Sequence, residues 1–123
     1  MAKNAKQFEE RPWGTFEVLH EFNLSDASDI VIKKITVHPG KRLSYQSHNK
    51  RREHWLIVEG QGMVVLDGTE LPVVKESKIH VPTKIKHRII NSHPEQHLVL
   101  IEISMGEFDE NDIKRFEDDF GRA

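Results

Sequence analysis

The sequence predicts an all-β domain, a sandwich or barrel of short antiparallel strands, and three observations carry that reading. From Gly14 onward, short runs rich in Val, Ile, Phe and Thr are separated by turn residues, the pattern of many brief strands. Val31, Ile35 and Val37 share one parity, with polar residues on most of the opposite positions, as a strand buried on one face requires. Asp67-Gly68 stands between MVVL and TELPVV, a strong signal for a two-residue hairpin.

Taken in order, residues 1–10 read as a flexible polar N-terminal lead and residues 11–123 as a single domain, the length favouring one core. Strands are expected at 15–22, 30–37, 43–48, 53–58, 62–67, 70–74, 78–82, 86–91 and 97–104. Pro39-Gly40 marks a turn. Pro72 marks an edge strand or a strand start, because proline cannot donate to a ladder. Asp109 to Phe116, DENDIKRF, has its acids first and its Lys-Arg last. That order complements a helix dipole and predicts a short C-terminal helix.

Composition removes several function classes. Lys and Arg number 18 against 20 Asp and Glu, for a net charge of −2, so nothing draws the chain as a whole to nucleic acid or to an anionic membrane. Cysteine is absent, which excludes disulfides and thiolate metal sites. The opening MAKNAKQFEERPWG has no apolar core of a secretory signal, and no apolar run has the length of a membrane span. A cytoplasmic location is the expectation.

The informative stretch is PGKRLSYQSHNKRREHWLIVEGQG. Residues two apart in a strand face the same way, so Gln46 and His48 share a face. Glu53 follows the short polar turn NKRR, and His87 lies far downstream in VPTKIKHRIIN. Each residue alone reads as ordinary surface. Jointly, two ligands from one strand, one from its neighbour and one from a distant strand place a divalent metal inside a barrel. An amide, a carboxylate and two imidazoles suit zinc, and also manganese, iron, cobalt or nickel.

These spacings resemble the two cupin motifs. The first is matched by Gly40, Gln46, His48, Glu53 and Gly60, the second by Pro82, His87 and Asn91. The resemblance implies a single-domain cupin, a jelly-roll barrel. Glu76 and Lys84 stand where the second motif usually has Gly, which suggests altered turns. Gln46 stands where most cupins have His. From about Arg11 to Arg122 the chain is similar to the C-terminal cupin of type II phosphomannose isomerases, through RPWGTFEVL, ITVHPGKRLSYQSH, REHWLIVEGQG, VPTKIKHRIIN and DENDIKRFEDDFGR. Asn49-Lys50 replaces a run of histidines usual in that family.

The resemblance implies metal ligands Gln46, His48, Glu53 and His87, with zinc favoured by analogy, and interconversion of mannose 6-phosphate and fructose 6-phosphate. A metal binding two substrate oxygens would stabilise the enediolate charge. The phosphate needs cations. Arg42 shares the parity of Gln46 and His48, Arg51 matches a family Arg, and Lys50 and Arg88 are further candidates. The base is unassigned. His54 should face away from Glu53, and Trp13 and Trp55 read as core aromatics. No nucleotidyl transfer is expected, since no Gly-rich nucleotide loop precedes the domain. The alternative is a non-catalytic sugar-phosphate or nucleotide-sugar module assisting a separate mannose-1-phosphate guanylyltransferase, which Asn49-Lys50 favours somewhat. A third reading, a dioxygenase on the same fold, is weakened by the Gln ligand. The resemblance also implies a homodimer.

Overall fold

The computed structural model describes residues 8–24, 29–107, 109 and 111–122. Among these the chain forms strands β1 (Phe8–Arg11), β2 (Gly14–Phe22), β3 (Asp29–Val37), β4 (Tyr45–Ser47), β5 (Arg51–Glu59), β6 (Gln61–Leu66), β7 (Thr69–Val74), β8 (Lys78–Val81), β9 (His87–Ile90), β10 (Leu98–Gly106) and β11 (Lys114–Glu117). They make two antiparallel sheets, ordered β1-β2-β3-β10-β5-β8 and β11-β4-β9-β6-β7. None of the described residues forms a helix long and apolar enough to cross a membrane.

Alternation builds the core. Ile35 and Val37 of β3, Trp55 and Ile57 of β5, and Leu98 and Leu100 of β10 meet Val64, Val73 and Ile89 of the other sheet in one buried cluster. All nine expected strands form. The Asp67-Gly68 hairpin also forms, with Leu66 opposite Thr69 and φ of 45° and 84° at its two central residues, the conformation a two-residue turn demands. Glu76 and Lys84 hold φ of 76° and 70°. Their turns therefore keep the left-handed backbone that glycine normally supplies. Gly60 of the first motif has no such latitude, because a Cβ there would run into the His97 carbonyl.

The C-terminal expectation is corrected. Lys114–Glu117 is a strand, not a helix, and pairs with β4. The described acids, Asp109 and Asp112, are spent on Lys50, on nearby backbone and on the β4–β5 turn, and do not cap a helix. Asp112 is buried, and its carboxylate accepts from the backbone N–H of Asn49 at 2.9 Å and of Lys50 at 2.8 Å. Asp109 accepts from the N–H of Asn111. Glu110 lies outside the described residues. At the other end, Phe8–Arg11 pairs with β2, so order begins within the expected lead, of which residues 1–7 lie outside the described residues.

Candidate metal centre

Three elements deliver the site. His48 follows β4, Glu53 is the third residue of β5, and His87 opens β9. The ends of both sheets therefore contribute. One ligand atom from each residue lies within 4.8 Å of the others, and all three residues are buried. His48 Nε2 is 3.5 Å from Glu53 Oε2, and His87 Nε2 is 3.8 Å from Glu53 Oε1.

The tautomers follow from the hydrogen bonds. His48 Nδ1 is 2.6 Å from the Asp112 carbonyl, and His87 Nδ1 is 2.9 Å from the Ile85 carbonyl. A carbonyl only accepts, so each Nδ1 carries the proton and each Nε2 presents its lone pair toward Glu53. This is the outer support that metal-binding imidazoles ordinarily have. Burial first, and then the Arg51 charge, pull the His48 pKa down to about 4, so a proton does not compete for its Nε2 at neutral pH. Burial alone would raise the pKa of Glu53, but Arg51, His87 and His48 together hold it well below the usual carboxylate range. Two imidazole Nε2 atoms and one carboxylate are a donor set that fits a divalent ion.

Gln46 lies directly opposite His87 in the β4–β9 pair. Its amide nitrogen donates to Ser44 Oγ at 3.0 Å, which leaves the amide oxygen as the atom available to a metal. Arg51 Nε donates to Glu53 Oε2 at 3.0 Å, and its Nη2 lies 3.3 Å from His48 Nε2. A cation thus already faces two of the donor atoms. Trp55 is a core residue, as expected, and its Nε1 also donates to Glu53 Oε1 at 3.0 Å. Both oxygens of Glu53 are therefore oriented by a neighbour two residues away. His54 points outward and stacks on His80.

Beside the triad opens a pocket of about 350 Å³, lined in part by Gln46, His48, Arg51 and Trp13, within the size range of small-molecule sites. Of the four expected phosphate cations, Arg51 lines it and the other three do not. Arg42 is gripped by both oxygens of Asp119 at 2.8 Å. Lys50 pairs with Glu107 and Asp109, and Arg88 with Glu117. Acids of the C-terminal segment neutralise all three.

Sequence reasoning missed Glu102, which also lines the pocket. It is buried next to Glu53, and its Oε2 accepts from Ser104 Oγ at 3.3 Å. Burial and the adjacent Glu53 charge push its pKa up, so Glu102 is the member of the pair that keeps the proton. A signal was present: Glu102 has the same parity in its strand as Leu98 and Leu100, an acid at an inward position.

Residues 2–118 match the family profile described as Mannose-6-phosphate isomerase C-terminal. Over 115 residues the chain is 37% identical to the mannose-1-phosphate guanylyltransferase of Escherichia coli (strain K12), covering 92% of this chain and 23% of that protein. It is 35% identical over 114 residues to the Xanthan biosynthesis protein XanB of Xanthomonas campestris pv. campestris (strain B100), covering 92% and 23%. The chain thus spans less than a quarter of the length of these curated relatives. Among solved structures, the cupin-2 domain Rru_A2000 from Rhodospirillum rubrum superposes with a TM-score of 0.65 at 19% identity, over 78% of this chain and 62% of that one. That likeness bears on the fold.

Proposed function

The chain belongs to the mannose-6-phosphate isomerase C-terminal family, and on that footing we propose that it is a metal-dependent isomerase interconverting mannose 6-phosphate and fructose 6-phosphate. The observation that carries the proposal is the convergence of two Nε2 lone pairs on the Glu53 carboxylate, beside a pocket of small-ligand size. His48, Glu53 and His87 would hold the ion, with the Gln46 amide oxygen as a fourth donor and zinc favoured among divalent metals. When bound, the ion supplies Lewis-acid stabilisation of charge on the substrate oxygens.

The rest of the chemistry falls to the chain itself. Isomerisation moves a proton between adjacent carbons, which needs a group that can take and return it. Two carboxyl groups line the pocket, Glu102 and Asp112. Asp112 spends both oxygens on backbone N–H groups. Glu102 is left, and because its carboxyl carries the proton we assign it the acid role, giving that proton to the substrate carbonyl oxygen and taking one back from the neighbouring hydroxyl as the new carbonyl forms. Arg51, held at Glu53 Oε2, keeps that ligand charged and offers a cation at the pocket wall.

A coupled assay on zinc- or manganese-loaded protein tests this reading. Wild type should turn over mannose 6-phosphate, and Glu102→Gln should lower kcat by about 10²-fold or more with KM within a few-fold. Wild type inactive with zinc, manganese, iron, cobalt and nickel would favour the second reading, a non-catalytic module serving a separate guanylyltransferase. That reading draws on the guanylyltransferase of E. coli, of which this chain covers only 23%. The homodimer belongs to the same proposal, and sedimentation should return twice the chain mass of 14.3 kDa.

A further inference from the structure

The cations expected to read phosphate lie mostly outside the pocket, yet the pocket is cationic. Arg11, Lys33, Arg51, Arg115 and Arg122 line it, against the carboxyl groups of Glu102 and Asp112. Most of these charges are committed. Arg11 Nη2 lies 2.6 Å from Glu9, and Arg51 holds Glu53. Arg122 is bound twice by Asp118, at 2.7 and 3.1 Å.

Arg115 differs. It sits in β11 directly opposite Gln46, so its side chain enters the pocket from the strand beside the proposed metal ligands. Its Nε is buried with no hydrogen-bond partner. Its electrostatic neighbours are Arg122 and Arg11, both repulsive, and Asp118. Asp118 cannot serve it well, because that carboxylate already accepts from Arg122 and from the backbone N–H groups of Phe120 and Arg122. Burial and those two guanidinium neighbours lower the Arg115 pKa against the opposing pull of Asp118. A half-buried guanidinium whose Nε has no partner and whose nearby acid is already engaged is unfavourable in the free protein. It becomes favourable when a dianion arrives, because the planar fork binds phosphate oxygens in pairs.

We propose that Arg115, flanked by Arg122 and Arg11, is the phosphate-binding corner of the pocket. The site would take a phosphomonoester whose other end reaches toward His48. The C-terminal strand, which the sequence disguises as a helix, thereby supplies the anion recognition. The identity of the ligand as a sugar phosphate rests on the proposed function. The anion site itself does not.

Calorimetric titration of the metal-loaded full chain with inorganic phosphate, mannose 6-phosphate and mannose tests the assignment. Wild type should bind both phosphate-bearing ligands, and mannose at least tenfold more weakly than its phosphate. Arg115→Gln should weaken phosphate and mannose 6-phosphate binding about 10- to 100-fold, leave mannose unchanged and leave zinc uptake unchanged. Arg115→Lys should recover part of the loss, and Arg42→Ala should bind as wild type. Because Arg115 Nε has no hydrogen bond to lose and two guanidinium neighbours repel the side chain, Arg115→Gln should melt no lower than wild type, and phosphate should raise the melting temperature of wild type only. If Arg115→Gln nevertheless fails to fold, Arg122→Gln is titrated in its place, with a loss expected there too. Equal phosphate affinity in wild type and the glutamine variant would overturn the assignment, as would absence of phosphate binding by wild type. Arg115-dependent phosphate binding without any turnover would remove the isomerase reading and leave this site standing.

Discussion

At the residue scale, Glu53 combines burial with charge. It is 1% exposed, and it stays ionised because Arg51 and Trp55 donate to its two oxygens and two imidazoles flank it. Glu53→Gln keeps the shape and an acceptor for Trp55 but removes the charge that would balance a divalent ion. We expect zinc affinity to fall by roughly 10²-fold or more, read by competition with a chromogenic chelator, while the far-ultraviolet spectrum stays that of a β protein. Gln46→His sets a sharper condition. Imidazole is the better donor to zinc, so affinity should hold or rise. A stronger donor leaves a weaker Lewis acid, so kcat should drop at full occupancy. Unchanged affinity and rate would remove Gln46 from the site. The spacing of the candidate ligands Gln46, His48 and Glu53 was legible at this scale, since it follows fixed offsets along neighbouring strands. Glu102 and Arg115 were not read, because their meaning depends on which distant side chains surround them.

At the element scale, two turns and one tail carry the consequences. Lys84 keeps a left-handed backbone at φ 70° because its N–H donates to the His48 carbonyl at 2.7 Å. The turn thus anchors His48, a candidate metal ligand. A side chain in that conformation is strained by about 1–2 kcal/mol, and glycine returns about 0.5–1 kcal/mol of that as unfolded-state entropy. Lys84→Gly should therefore stabilise by roughly 0.5–1 kcal/mol, measured as a higher urea midpoint at unchanged m-value. In the tail, the bonds from Arg122 first, and from the backbone N–H groups of Arg122 and Phe120, hold Asp118 at a pKa of about 2. A carboxylate depressed in the fold contributes stability above its unfolded pKa of about 4, and that contribution disappears as pH falls through about 2. Asp118→Asn should cost on the order of 1 kcal/mol at neutral pH, and the gap to wild type should narrow between about pH 4 and pH 2. Urea midpoints across that range provide the check.

At the scale of the whole molecule, the site exists only if the two sheets keep their relation. Asn91 makes that connection at the end of β9. Its amide nitrogen donates to the Val37 carbonyl of β3 at 3.0 Å and to the Gln96 carbonyl at 2.8 Å, and its oxygen accepts from the His93 N–H. Asn91→Ala strips partners from three backbone groups, so we expect a loss of about 2–3 kcal/mol and a drop of roughly 10 °C in melting temperature, followed by calorimetry. The sequence by itself determined the all-β class, the nine strands of the main run and the His–Glu–His spacing. The first two depend on alternation and turn chemistry within a few residues, which local physics sets, and the third, with His87 far downstream, is what the resemblance to the cupin motifs implies. Only the tertiary structure decided the tail. DENDIKRF satisfies the charge pattern of a helix, but the free backbone beside β4 and the N–H groups of Asn49 and Lys50 offer it stronger partners. The same choice decided the cations. Arg42, Lys50 and Arg88 meet acids far along the chain, whereas the acid near Arg115, Asp118, is already held by Arg122. Ion pairing across such separations is fixed by how the chain closes on itself, which no local pattern encodes.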